Sequence, residues 1–371
     1  MTDSKSFSFK LPLKSMRRET TEFKSDEAAC EEQLQASLLE SITSALETKH
    51  PILTHLNADT TWLLSLPYPN TKGNGGRTYF HILIDPWLKG GQSDVAGWFS
   101  QQWHVEKSYV EDYTELTSLV AELEMAAQSG RAGETTKRGV DLVVVSHEFT
   151  DHMHKDTLLD IDPKVPVMAT SKAAGIIRGW KHFANVVDID RFDGDWRSNS
   201  LAKLSIGDQQ DWLGVSRVAY AGSDLLYYHS AVMITFSPSP TASAQGIIYT
   251  PHGISPENLS PVASADPKIE TLALLHGLQD IALPMGAQLN RGAHNGLKVQ
   301  RMLGSKYWVG THDEVKRGGG VVSWFLRRKR ITLREAMERE VRGEDGEGSV
   351  GKELGEVRFV DLRVGESLVL E

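Results

Sequence analysis

Val140-Asp141-Leu142-Val143-Val144-Val145 is a run that fits a buried strand and little else: five of its six side chains are apolar and four are valines. β-Branched side chains lose little freedom on a pleated surface and crowd a helix. Ser146 then breaks the run. The next eight residues, His147 to His154, hold three histidines and one aspartate. A buried strand opening into such a loop fixes one imidazole rigidly and lets the others turn back toward it. Neutral imidazole nitrogen and carboxylate oxygen are ligands that zinc, iron and manganese all accept.

The loop reads His147-x-Phe149-x-Asp151-His152. It resembles the metal loop of the metallo-β-lactamase superfamily, His-x-His-x-Asp-His at a strand end, with Phe149 where that pattern has its second histidine. A second point of likeness is Ile84-Asp85-Pro86-Trp87, which closes an earlier strand. A similar strand end occurs in the branch that includes L-ascorbate-6-phosphate lactonase and N-acyl phosphatidylethanolamine phospholipase D. There the aspartate lies beside the metal loop; a simple capped turn is the other reading. The resemblance spans about Ile52 to Lys316 and implies an α/β fold, a four-layer αββα sandwich.

Three more apolar strands run directly into histidine: Gly246 to Tyr249 before His252, Leu272 to Leu275 before His276, and Lys306 to Thr311 before His312. Strand ends along one edge of an α/β sheet converge, so these imidazoles are expected at a common mouth. Carried over by the resemblance, Asp151, His152 and His312 form one half of the metal site, with His147 or His252 as a fourth ligand. His229 is a candidate for the middle histidine of the other half. Pro251-His252-Gly253 stands where the pattern has a bridging aspartate. The loss of that carboxylate, together with Phe149, implies one divalent ion rather than two, zinc first, with iron or manganese as alternatives. His276 would project into the same mouth. His294 falls where the phospholipase-like branch carries a histidine near its substrate. Asp151, His276 and His294 are therefore the catalytic candidates.

Composition narrows the partners. A formal net charge of −9 lacks the basic face a general nucleic-acid binder needs. The run Arg327 to Arg330 is expected on a solvated helix face. No stretch reaches the roughly 18 apolar residues of a spanning helix, and residues 1–10 lack the apolar centre of a signal peptide. The single cysteine, Cys30, excludes an intrachain disulfide or thiolate cluster. A cytoplasmic protein with a small-molecule substrate is the expectation.

Along the chain, residues 1–25 are polar and aperiodic and read as a flexible arm, followed by one domain over residues 26–371. Leu34, Leu38, Leu39, Ile42 and Leu46 recur at helical spacing. Residues 55–66 read as a hairpin, Gly73 to Gly76 as a turn, and Tyr79 to Ile84 as a strand. Residues 90–113, with Trp98, Trp103, Tyr109 and Tyr113, form an aromatic insertion suited either to lining a cleft or to packing. Helices are expected at 116–127, 156–161, 171–180 with Ser171 as N-cap, 295–303 and 333–341. Strands are expected at 165–170, 186–189, 201–206, 215–219, 225–228 and 231–236, and 357–364 and 367–370 read as a final strand pair.

The expected activity is hydrolysis of an ester, lactone, amide or phosphoester by metal-activated water. A catalytically weak binding or scaffold protein of the same fold is the alternative, since Phe149 cannot ligate. Iron-based redox chemistry would want more carboxylates than this chain supplies.

Overall fold

The valine run and its apolar neighbours end up in the middle of a mixed sheet. The computed structural model describes residues 43, 49–69, 76–94, 96–128, 139–197, 212–219, 228–237, 243–283, 288–342 and 356–371, side chains 322 and 323 excepted. The first sheet has seven strands in the order Ser367–Val369, Ile52–His55, Trp62–Pro67, Tyr79–Ile84, Leu142–Val145, Val167–Ala169 and Val186–Asp188. Pairing is antiparallel as far as Tyr79–Ile84 and parallel from there to Val186–Asp188. The second sheet has six strands, Phe359–Val360, Tyr307–Val309, Ile269–His276, Ala244–Thr250, Ala231–Phe236 and Leu213–Val218, with its first four mutually parallel.

Alternation sorts the side chains of both sheets into three apolar layers. Leu64, Ile82, Val144 and Met168 of the first sheet meet Val215, Ile234, Tyr249 and Leu275 of the second, forming the central core. The opposite face of the first sheet, with Leu63, Leu83, Val143 and Val145, packs on the helices Tyr113–Ala127, Lys155–Asp160 and Ser171–Gly179. The outer face of the second sheet, with Met233, Ile248, Leu274 and Trp308, packs on Ser260–Ala263, Ala293–Leu303 and Leu333–Arg342. Helix, sheet, sheet, helix is the four-layer αββα sandwich expected from the sequence. No helix among the described residues is long and apolar enough to cross a membrane.

Several local expectations change. Arg327–Arg330 is not helical: it is an exposed strand paired antiparallel with Gln279–Ala282 in a small three-stranded sheet. Four solvated cations suit such a strand, because charge there discourages pairing with another chain. The two C-terminal strands do not pair with each other. Phe359 packs edge-on against Trp308 (5.4 Å, 88°) in the second sheet, whereas Leu370 is buried beyond the edge strand of the first. Gly365, at φ 84°, turns the chain between them. The helix at 171 is entered through Thr170 rather than Ser171 as the cap. The helix at 113 begins a turn before expectation because Asp112 accepts the amide of Glu115 at 2.9 Å. The arm over 1–25, nearly all of the helical pattern over 34–46, most of the Gly73–Gly76 turn, the strand at 201–206 and most of that at 225–228 lie outside the described residues.

The aromatic insertion divides in two. Gln101–Trp103 joins Gly91–Gln92 and Arg317–Gly319 in a second small sheet, with the Arg317 guanidinium 5.2 Å from the Trp103 ring. Tyr109 and Tyr113 pack against the helical side of the first sheet, while Trp98 is 72% exposed.

Candidate metal centre

Parallel strands from both sheets end on one edge, and four of their exits carry the polar site. Leu142–Val145 delivers the loop from Ser146 to His154, Tyr79–Ile84 delivers Asp85, Ala244–Thr250 delivers His252, and Tyr307–Val309 delivers His312. His147, Asp151, His152, His252 and His312 are all buried there. Two sets of three offer ligand atoms within 4.8 Å of one another: His147, His152 and His252, and Asp151, His152 and His312.

Asp85 organises the first set. Its Oδ1 accepts the Ser146 amide at 2.7 Å; its Oδ2 accepts Ser146 Oγ at 2.5 Å, His152 Nδ1 at 2.6 Å and Tyr249 Oη at 2.8 Å. Nδ1 of His152 is thereby the protonated nitrogen, and Nε2 keeps the lone pair. That Nε2 faces His252 Nε2 at 3.2 Å. Nδ1 of His252 has no hydrogen-bond partner among the described residues. His147 has a partner at both ring nitrogens: its Nδ1 stands 2.9 Å from Ser146 Oγ. His147 Nε2 points toward the Tyr228 carbonyl at 3.2 Å.

The second set rests on Asp59. Its Oδ1 accepts His312 Nδ1 at 3.0 Å, leaving His312 Nε2 3.9 Å from Asp151 Oδ2. Lys316, from the loop after His312, places its ammonium 2.6 Å from Asp59 Oδ2 and 2.8 Å from Asp151 Oδ2. The Trp87 ring lies 5.4 Å from the same nitrogen.

Backbone strain collects at this point. Asp85 (φ 44°) and His312 (φ 59°) both adopt left-handed conformations. Each costs about 1–2 kcal/mol for a non-glycine residue. Both sit where a strand must turn sharply to aim a polar group into the cleft. Beside His252, Gly253 (φ 77°) is required on two counts. A Cβ there would stand 2.7 Å from Arg291 Cβ and 2.9 Å from the Arg291 carbonyl.

The electrostatics separate the imidazoles. Burial, then the neighbouring His147, His152 and His312, push His252 well below the usual histidine range, so it is the neutral base that ligates metals. Burial would lower His152 too, but Asp151 and Asp85 outweigh it and raise its pKa. Burial would raise Asp151; Lys316 first, then His152 and His312, hold it far below the carboxylate range. The Lys316 ammonium, which burial alone would neutralise, is kept charged by Asp151 and Asp59.

Three sequence candidates lie elsewhere. His276 is buried in the second sheet, its Nε2 2.9 Å from Asn295 Oδ1 and its carbonyl accepting Trp308 Nε1 at 2.8 Å. Its ring faces the Ala293–Leu303 helix. His294, on that helix, lies 3.2 Å from Nη1 of Arg339, in the outer helical layer. His229 lies behind the cluster, with Nδ1 3.2 Å from the His252 carbonyl. His154, last of the loop histidines, caps the Lys155–Asp160 helix. Phe149 lies over the cluster, stacked on Tyr228 (4.9 Å, 21°) with its centroid 6.1 Å from that of His252.

Asp59, Ser146 and Lys316 were not legible as site residues. Asp59 reads as part of a hairpin turn and Lys316 as one charge in a polar loop. Their one sequence signal is proximity to a strand end already suspected: Ser146 precedes His147, and Lys316 follows His312 by four residues.

No family model matches the sequence, and no curated protein matches it. Solved structures do. Isothiocyanate hydrolase from Delia radicum gut bacteria aligns over 86% of this chain and 99% of its own, at 16% identity and a TM-score of 0.49. A possible metal-dependent hydrolase from Veillonella parvula aligns over 86% and 100% (12% identity, TM-score 0.48). The metallo-β-lactamase fold protein YhfI from Bacillus subtilis aligns over 86% and 99% (10% identity, TM-score 0.42). Sequences this far apart hold chemistry loosely; the fold assignment rests on the layers described above.

Proposed function

We propose that this chain is a metal-dependent hydrolase of small molecules, acting on an ester, lactone, amide or phosphoester through one divalent ion, zinc first. The ligands are drawn from His147, Asp151, His152, His252 and His312. The observation that carries this reading is the pair His152 Nε2 and His252 Nε2, 3.2 Å apart with His152 Nδ1 already committed to Asp85. Two nitrogens on one tetrahedral zinc, each about 2.0–2.1 Å from it, stand roughly 3.3 Å apart. The residues therefore fit the ion. When bound, such an ion polarises a carbonyl or phosphoryl oxygen and makes water a stronger acid at neutral pH.

The chain's own groups supply the rest. Asp85 fixes the tautomer of His152 and Asp59 that of His312, while Ser146 holds the His147 ring in place. Asp151 receives the Lys316 hydrogen bond at Oδ2, and its Oδ1, 3.7 Å from His152 Nε2, is the oxygen assigned to orient the attacking water. Lys316 supplies the counter-charge to Asp59 and Asp151 and holds the Asp151 carboxylate in place. His276 and His294 are given no part, because their rings are engaged outside the cluster.

The test is metal content and turnover together. Purified protein should carry about one equivalent of metal and hydrolyse at least one of a panel of lactones, aryl esters and phosphodiesters, with chelator abolishing turnover. Phe149 favours a second reading, a binding protein of the same fold, since it stands over the imidazoles as an apolar lid. Metal bound without turnover on any class, together with ligand-induced stabilisation, would select that reading.

A further inference from the structure

We propose that the Lys316 ammonium fills the position of a second cation in this cleft, so that a single metal ion is directed to the three imidazoles His147, His152 and His252. The inference rests on the metal reading above and deepens it.

Three observations converge. First, the ammonium already has the surroundings of a bound cation: Asp59 Oδ2 at 2.6 Å, Asp151 Oδ2 at 2.8 Å and the Trp87 ring face at 5.4 Å, with the residue 8% exposed. Two buried carboxylates in one pocket need a counter-charge, and the chain supplies it covalently. Second, both candidate ligand sets include His152. Its Nδ1 proton is held by Asp85, so only Nε2 can ligate, and a neutral imidazole nitrogen offers one lone pair to one ion. The two sets cannot both be complete. Third, the sets differ in charge environment. Any ion taken by Asp151 would lie beside the ammonium and be repelled by it, whereas the contacts described for the ammonium are with Asp59, Asp151 and the Trp87 ring rather than with His147 or His252. Lysine is suited to this role as a compact point charge on a flexible stem.

Removing the charge should open the second position. Without the ammonium, Asp151 Oδ2 and His312 Nε2, 3.9 Å apart, are left as a carboxylate and an imidazole open to a second divalent ion, with Asp59 beside them in place of the lost counter-charge. We would dialyse wild type, Lys316→Met and Lys316→Arg against zinc, remove free metal, and count bound zinc by elemental analysis. Cobalt(II) substitution would follow ligand type by visible absorption. The expected result is one equivalent in wild type and in Lys316→Arg, and two in Lys316→Met. Wild type with two equivalents, or Lys316→Met still with one, overturns the proposal. Should Lys316→Met fail to fold, Asp151→Asn decides. One equivalent retained with an unchanged cobalt spectrum supports the three-imidazole assignment, and loss of the ion overturns it. Wild type binding no metal at all is a separate outcome: it overturns the hydrolase reading on which this one stands.

Discussion

His152 donates its Nδ1–H to Asp85 Oδ2 at 2.6 Å, with neither side chain exposed to solvent. One buried carboxylate thereby decides which nitrogen of the imidazole faces His252, and the same oxygen is shared with Ser146 and Tyr249. The geometry of the candidate ligands is held from behind, by a residue on a different strand from any of them.

Asp85→Asn should therefore weaken metal binding without removing a ligand. The amide can donate where the carboxylate only accepts, so His152 loses its enforced tautomer. Replacing such supporting groups lowers affinity by about 10- to 100-fold. Competition with a chromogenic chelator measures this, and an unchanged dissociation constant would mean that Asp85 does not set the His152 tautomer.

Gly253→Ala tests the turn that presents His252. The added Cβ meets Arg291 backbone and side-chain atoms at under 3.0 Å, in a backbone conformation that L-residues disfavour. A loss of about 2–3 kcal/mol is expected from strain and crowding together. Denaturant unfolding gives the number, and the surviving folded fraction should bind metal more weakly because His252 is displaced. Wild-type stability would contradict the turn geometry.

Glu124 provides a pH signature remote from the site. It accepts the Thr78 amide at 2.7 Å, the Tyr79 amide at 2.8 Å and His81 Nε2 at 3.1 Å. Burial alone would raise its pKa, but these hydrogen bonds outweigh it and hold it below the ordinary glutamate value. A carboxylate depressed in the folded state stabilises at pH above its unfolded value, about 4.3, and loses that contribution as pH falls through the folded value. Glu124→Gln should thus cost about 1–3 kcal/mol at neutral pH, with the gap to wild type closing below about pH 4. A gap that stays constant into acid would show that ionisation of Glu124 contributes nothing.

Phe149→His returns an imidazole to a loop position whose ring centroid is 6.3 Å from that of His147 and 6.1 Å from that of His252. With Lys316 in place, the extra nitrogen should tighten the single ion rather than recruit another. Zinc titration should show a lower dissociation constant at unchanged stoichiometry. No change in affinity would mean that the side chain at 149 turns away from the imidazoles.

The strands were legible because their chemistry is local: Tyr79 to Ile84 and the valine run are apolar and β-branched, and no helix buries such runs as well. His147, Asp151, His152, His252 and His312 were legible because each follows a strand, and exits of parallel strands share an edge. His276 follows a strand equally well, yet the strand extends through it and turns its ring to the helical face. Strand alternation, which decides inward from outward, shifts with one residue of strand length. Asp59 and Lys316 reach Asp151 across 92 and 165 positions of chain. No spacing rule reports such an approach; only the closure of the two sheets does. The Arg327–Arg330 strand failed for a related reason: a run of like charges carries no period of its own, and pairing with Gln279–Ala282 supplied the conformation.

The central claim is that His152 and His252 share one ion. Metal-free protein titrated with cobalt(II), wild type beside His252→Ala, tests it most directly. The account predicts one equivalent bound in wild type, with the strong visible absorption of a four-coordinate nitrogen-rich site, and loss of both in the variant. Equal cobalt binding and equal spectra in the two proteins would contradict it.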